Sequence, residues 1–247
     1  MPRVLSHIIQ KRFSQVNEDV ATDALAYVVE SSQSASNGMR KLLSGLISDL
    51  PLLQFRTQEA EGTIRPDMWG YEGSSPRVFI ENKFWAGLTD NQPVNYLKQL
   101  AAYSKPAILL VVAPSARQHT LWRELQRRVS EAGIALDDLM DAAGIQYAAR
   151  TDLGPILAIT SWDDLLSILE HETSDDPEAR ADLVQLRSLC EAADIDAFSP
   201  ISREELTDQR TPTFMLELSS IWQGVTDLGV SRGILETKGT APQASSE

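Results

Sequence analysis

Asp67, Glu81 and Lys83 are the residues whose types and spacing suit metal-assisted chemistry. Residues 78–84 form an apolar, aromatic run between Gly-Ser-Ser-Pro and Ala-Gly, which predicts a strand. On it, Phe79, Glu81 and Lys83 share one face and Ile80 and Asn82 the other. Residues 64–69 predict a second short strand, and residues 70–76 the turn-rich connection between them. Pairing the two strands sets Asp67 beside Glu81 and Lys83. Two carboxylates with an ammonium next to them suit a hard divalent cation such as Mg²⁺, which keeps coordination positions open for phosphate oxygens. Such an ion lowers the pKa of a bound water, and a neighbouring lysine orients that water or offsets charge on phosphoryl oxygens. The competing reading is a cross-strand salt bridge on a solvated hairpin.

A helix is expected to follow. Thr89 and Asp90 offer a cap, Pro93 falls in the first turn, and the pattern continues to about residue 103. Gln92, Tyr96, Gln99 and Tyr103 recur every three or four residues, so they form one polar, aromatic stripe beside Leu97, Leu100 and Ala101. Amides and phenols on one stripe suit a groove for phosphates, sugars and stacked bases; a core tyrosine with its hydroxyl at the surface is the plainer alternative, more so for Tyr103. The pair Gln92/Tyr96 lies nearest the carboxylate strand. Arg65 and Arg77 flank the motif and could hold phosphates, or be ordinary surface arginines.

Around this centre the chain alternates helices and apolar runs. Asn17 caps a helix expected over residues 17–29, with Glu18 on the inward face near Ala21 and Leu25. A Ser-rich break over 31–37 precedes a helix over 38–50, and residues 52–58 form the first strand candidate. The run 107–113 (AILLVVA) reads as a central strand covered on both faces. A helix over 118–132 carries Leu121, Trp122, Leu125 and Val129 inward; Arg123, Arg127 and Arg128 form either a phosphate-facing patch or an exposed face paired with Glu124 and Glu131. Residues 145–150 and 155–160 read as short strands, and Ser161 caps a helix over 163–171. An acidic stretch at 172–178 marks a boundary. Beyond it are expected helices at 178–193, from Ser202 and at 212–226, and a disordered tail at 238–247.

The chain has 247 residues and a net charge of −13, yet the charge is uneven. Residues 65–128 hold nine Lys and Arg against five Asp and Glu, whereas residues 129–247 hold seven against twenty-three. The segment with the carboxylate motif is the basic one. A single Cys, Cys190, excludes an internal disulfide and Cys-based metal clusters. No long apolar run or signal-peptide pattern is present, so a cytoplasmic protein without a membrane segment is expected. Gly-rich phosphate loops, Ser/His/Asp constellations and zinc-ligand spacings do not occur.

RPD at residues 65–67 followed by IENK at 80–83 resembles the PD-(D/E)XK nuclease superfamily, the restriction-endonuclease-like fold. The resemblance extends over about residues 18–162. Residues 80–97 are similar to bacterial branches in which a Gln-x-x-x-Tyr helix follows the metal strand; Asn82 departs from the apolar residue many members have there. The resemblance implies an α/β fold with an αβββαβ core, a mixed central sheet flanked by helices; with the acidic boundary this gives an expected domain over residues 1–174 and a helical appendage at 175–237. The resemblance also implies a Mg²⁺- or Mn²⁺-dependent deoxyribonuclease serving restriction, repair or defence against foreign DNA. Asp67, Glu81, Glu18 and the Asn82 backbone carbonyl would hold the metal, Lys83 would position the attacking water, and Gln92, Tyr96, Gln99 and Arg65 would bind substrate. Partners would be DNA and a second copy or another protein at the C-terminal helices. A different class stays open: a nuclease-fold module with a weak or inactive site, acting as a protein-interaction subunit through those acidic helices.

Overall fold

The computed structural model describes residues 17–57, 59–60, 64–84, 86–90, 92–139, 142–195, 224–225 and 228–233. The chain divides into two compact units, Met1–Ser199 and Pro200–Glu247. The first is an α/β unit built on a seven-stranded mixed sheet. Its elements are α1 (Asn17–Ser31), α2 (Gln33–Ser44), β1 (Gln54–Thr57), β2 (Met68–Glu72), β3 (Ser75–Asn82), α3 (Val94–Ala102), β4 (Ile108–Ala113), α4 (Gln118–Glu131), β5 (Leu136–Asp138), β6 (Tyr147–Thr151), β7 (Ile156–Ser161), α5 (Trp162–Glu172) and α6 (Pro177–Ile195). Sheet order is β1-β2-β3-β4-β7-β6-β5. β3, β4 and β7 run parallel at the centre, and the outer neighbours are antiparallel.

Burial explains the centre. All six residues of β4 are buried, because helices cover both faces of a parallel core. On one face Val78, Ile80, Leu110 and Ala158 pack with Leu25 of α1, Leu42 of α2, Leu165 of α5 and Leu183 of α6. On the other, Phe79, Leu109, Val111 and Leu157 pack with Leu97 of α3 and Leu125 of α4. The sheet thus sorts odd and even positions of β3 into different cores, as strand alternation requires.

Several expected boundaries move. The strand foreseen at residues 64–69 begins only at Met68 and continues through Gly70 to Glu72. Gly70 and Pro76 therefore belong to strands, and the turn is Gly73-Ser74, where Gly73 adopts φ +62. Gly70 is needed within β2 because a Cβ there would lie 2.9 Å from Phe55 and 3.1 Å from Leu53. The Ser-rich break is mostly helix: Ser32 Oγ accepts from the Ala35 N–H at 3.1 Å, so serine here starts α2 instead of interrupting it. The boundary expected after residue 174 falls within the first unit. Residues 173–176 are only the turn into α6, whose Leu183, Leu186, Leu189, Cys190 and Ala193 join the core that contains α1 and α5. β5 has no counterpart among the expected strands; it is three residues long and largely exposed. Among the described residues no helix is long and apolar enough to cross a membrane. The N-terminal fifteen residues, the helix expected from Ser202, most of that over 212–226 and the tail lie outside the described residues.

Candidate functional site

The candidate residues gather at the carboxyl ends of the parallel strands, the edge where ligands bind in open α/β sheets. Register does the first part of the work. Met68 pairs with Ile80 across β2 and β3, which sets the preceding Asp67 opposite the end of β3. Asp67 lies just outside the strand, so its side chain takes over where the ladder stops. Asp67 Oδ2 accepts the Asn82 N–H at 2.7 Å. Because N–H and C=O of one strand residue point the same way, the Asn82 carbonyl faces that edge too. The next N–H, that of Lys83, turns the other way and donates to Val112 O at 2.8 Å.

Glu81 and Lys83 project on the α3 side. Lys83 Nζ is 2.7 Å from Glu81 Oε1, and the two side chains are only 7% and 5% exposed. Gln92 Nε2 donates to the same Glu81 oxygen at 2.5 Å and lies 3.3 Å from the Tyr96 hydroxyl. Gln92 is itself oriented, since its Oε1 accepts the Thr89 N–H at 3.1 Å. It precedes α3 instead of lying within it, as the helix starts at Val94. Tyr96 is set by an aromatic chain: its ring meets Phe79 edge-on at 6.2 Å, and Phe79 packs on Trp69 at 4.3 Å. Glu81 Oε2 is buried with no hydrogen-bond partner.

Charge follows from this burial. Burial, then the nearby Glu81 charge, pushes the Asp67 carboxyl up to about 7. Burial likewise holds Glu81 above the ordinary carboxylate range, against the pull of Lys83 and of the hydrogen bonds from Lys83 and Gln92. For Lys83, burial acts downward, but the charge and hydrogen bond of Glu81 outweigh it and keep the ammonium above its usual value. Burial and then Glu81 push the Tyr96 phenol up to about 12.

The opposite face contributes from α1. Asn82 is fully buried; its Nδ2 donates to Thr22 Oγ1 at 2.7 Å, while its Oδ1 has no partner. Glu18, in the first turn of α1, accepts the N–H groups of Phe84 at 2.6 Å and Ala86 at 3.3 Å through Oε1. Its charge reaches Asp67, Glu81 and Lys83, and these two bonds tie it to the main chain of the turn after Lys83. Phe84 stacks on Trp162 at 5.3 Å, which anchors this turn to α5.

Not every expected residue arrives. Arg65 is exposed and reaches the site through its backbone, which hydrogen-bonds Tyr96. Gln99 donates to Tyr103 at 3.1 Å, one turn farther along α3. Arg77 sits toward the other end of β3, where it pairs with Glu72 and donates to Pro106 O at 2.6 Å; it does not flank the site. Arg127 pairs with Glu124 and Glu131, as an exposed helix face requires, and is not turned toward a phosphate. Sequence reasoning missed Arg117 and the second role of Arg128. Arg117 donates to Phe84 O and Ala86 O, and Arg128 to the carbonyls of Leu88, Thr89 and Gln92. Main-chain carbonyls of a distant loop leave no sequence signal.

Among the described residues no group of three or more His, Cys, Asp or Glu side chains is arranged to hold a metal ion; the carboxylates whose charges act on Asp67 are Glu81 and Glu18. Compared with known proteins, the chain matches no protein-family model, no curated protein and no solved structure.

Proposed function

We propose that this chain is a metal-dependent phosphodiesterase of the PD-(D/E)XK nuclease class acting on DNA. One observation carries the reading: Asp67 accepts the Asn82 N–H and lies within reach of the charges of the buried Glu81–Lys83 pair. That gathers two carboxylates and an ammonium at the carboxyl edge of a sheet. The order α2-β1-β2-β3-α3-β4 supports the restriction-endonuclease-like core, since it runs helix, three strands, helix, strand.

The residues fit a hard divalent cation. Glu81 Oε2 is a buried oxygen without a partner, and burial, then the nearby Glu81 charge, pushes Asp67 up to about 7, so a bound cation would relieve both. Asp67, Glu81 and the Asn82 carbonyl would hold Mg²⁺ or Mn²⁺, all oxygen donors. When bound, the ion supplies Lewis acidity and a bound water of lowered pKa. The protein's own groups do the rest. Lys83 stays protonated beside Glu81 and offsets charge that develops on phosphoryl oxygens. Gln92 fixes the orientation of Glu81, and Tyr96, protonated at neutral pH, offers a hydroxyl donor. Glu18 shapes the turn after Lys83 through its main-chain bonds.

One observation favours a second reading, a weak or latent site in an interaction module: Glu81 Oε1 is already engaged by Lys83 and Gln92, and Oε2 is shut away from water. Incubating the protein with plasmid and linear DNA in Mg²⁺ or Mn²⁺ decides between them. Cleavage abolished by chelation and lowered at least a hundredfold by Lys83→Ala is the expected result, the range for removing one group that stabilises transition-state charge. No cleavage, or cleavage untouched by Lys83→Ala, would leave only the interaction module.

A further inference from the structure

Between β3 and α3 the described residues form neither helix nor strand, yet their backbone carbonyls converge on two side chains. Arg117 Nη1 donates to Phe84 O and, at 3.4 Å, to Ala86 O. Arg128 Nη1 donates to Thr89 O at 2.5 Å and Gln92 O at 3.1 Å, and Nη2 to Leu88 O at 3.2 Å. Arg117 is the N-cap of α4 and Arg128 lies in its last turn. Eleven residues make a rotation only about 20° from whole turns and a rise of about 16 Å, so one face of α4 presents a guanidinium at each end of the segment. Arg128 is in turn held by Glu124, whose Oε1 accepts from its Nε at 2.8 Å. A planar fork can bridge carbonyls two or three residues apart, which a lysine cannot reproduce.

These bonds bear on the site through Gln92. The carbonyl of Gln92 is fixed by Arg128, its Oε1 by the Thr89 N–H, and the Thr89 carbonyl again by Arg128. What remains is the Gln92 amide nitrogen, directed to Glu81 at 2.5 Å. At the other end Glu18 accepts N–H groups of the same two residues whose carbonyls Arg117 takes, so the turn after Lys83 is gripped from both faces of the sheet.

We propose that Arg117 and Arg128 are positioning residues, with α4 acting as a splint that holds the segment after Lys83 so that Gln92 bears on Glu81. Only the kinetic consequence rests on the nuclease reading. The experiment follows the side-chain amide signals of glutamine by NMR in the folded protein, with Gln92→Glu to assign Gln92, and backbone hydrogen exchange in wild type, Arg128→Ala, Arg128→Lys and Arg117→Ala. In Arg128→Ala the Gln92 amide signal moves to the position of a solvent-exposed amide. The Thr89 and Gln92 backbone amides exchange about tenfold faster or more, from the loss of hydrogen bonds to a charged group. Arg128→Lys recovers part of both changes, and Arg117→Ala quickens Phe84 and Ala86 instead. Amides of β4 and β7 keep their rates. An unmoved Gln92 signal in Arg128→Ala overturns the proposal, as does exchange that quickens equally in β4 and β7, the mark of general destabilisation. Where wild type cleaves DNA, Arg128→Ala lowers kcat about tenfold or more with KM changed less than about twofold; an unchanged kcat overturns the positioning role in catalysis. Absence of cleavage by wild type counts against the nuclease reading, and the amide measurements then decide the splint on their own.

Discussion

Asp67 Oδ2 stands 2.7 Å from the Asn82 backbone nitrogen, and so a side chain replaces the next acceptor of the β2–β3 ladder. Pro66 precedes it, lacks an N–H and is poorly suited to extend the strand inward. A ladder that stops one residue early leaves the Asn82 N–H to find another partner, and the carboxylate beside Pro66 supplies it. That substitution holds Asp67 where the Glu81 charge acts on it.

The first prediction concerns pH. Asp67 has a folded pKa of about 7 against 3.8 for the free side chain. Between these values the folded chain binds a proton that the unfolded chain releases, so stability falls as pH rises through this window and is lowest above it. Asp67→Asn removes this dependence. Urea unfolding at pH 5 and pH 8 should show wild type losing on the order of 2 kcal/mol more than Asp67→Asn over that interval. Parallel behaviour of the two proteins would refute the buried, charge-crowded state of Asp67.

The second concerns the buried ion pair. Lys83→Met leaves Glu81 desolvated without its cation, which should cost about 3–5 kcal/mol at pH 8. The loss should be smaller at pH 5, because Glu81 can then take up a proton. A Lys83→Met/Glu81→Leu double variant should recover most of the loss, since two apolar groups carry no unpaired charge. Denaturant titrations of the four members of the cycle measure this directly, and strict additivity would contradict the pairing.

The third tests the fit to a divalent cation without using activity. Mg²⁺ or Mn²⁺ binds the folded chain through ionised carboxylates, so it should raise the melting temperature more at pH 8 than at pH 5. A saturating ion at about 100 times its dissociation constant adds about 2.7 kcal/mol. Glu81→Gln and Asp67→Asn should each remove most of the shift. Equal shifts in all three proteins would place the ion elsewhere.

The fourth concerns the attachment of α1 to the strand. Thr22→Val keeps the shape of the side chain but strands the Asn82 Nδ2 donor, buried at 0% exposure and 2.7 Å from Thr22 Oγ1. It should destabilise the protein by about 1–3 kcal/mol. A change below about 0.5 kcal/mol in chemical denaturation would show that the contact contributes little.

Much of the sheet was legible from local pattern. Six consecutive apolar residues closed by Pro114 make β4 evident, and Ser161, with its Oγ accepting the Asp164 N–H at 2.8 Å, marks the start of α5 as its cap position suggests. The alternation of β3 put Glu81 and Lys83 on one face and Asn82 on the other, and the structure has Glu81 against Gln92 and Asn82 against Thr22. These follow from periodicity, which a short stretch of chain contains in full.

Other features were decided only by tertiary structure. The end of β2 depends on pairing with β1 and β3 and on the close approach of Phe55 to Gly70. The same stretch of chain without those partners gives no sign of it. Whether residues 177–195 formed an appendage or part of the core depended on an apolar face elsewhere to receive Leu183 and Leu186, and α1 and α5 provide one. Arg128 stood in the sequence as a phosphate-facing or exposed helix charge and Arg117 gave no sign at all, until folding laid the carbonyls of a distant loop against both. By itself the sequence determined the residue types of the carboxylate–lysine motif and the faces on which Glu81, Asn82 and Lys83 stand, because strand alternation is a local rule. The burial that lifts Asp67, the partners that orient Glu81 and the clamp on the following segment were decided by tertiary structure, since desolvation and hydrogen bonding depend on which distant groups exclude water from a site.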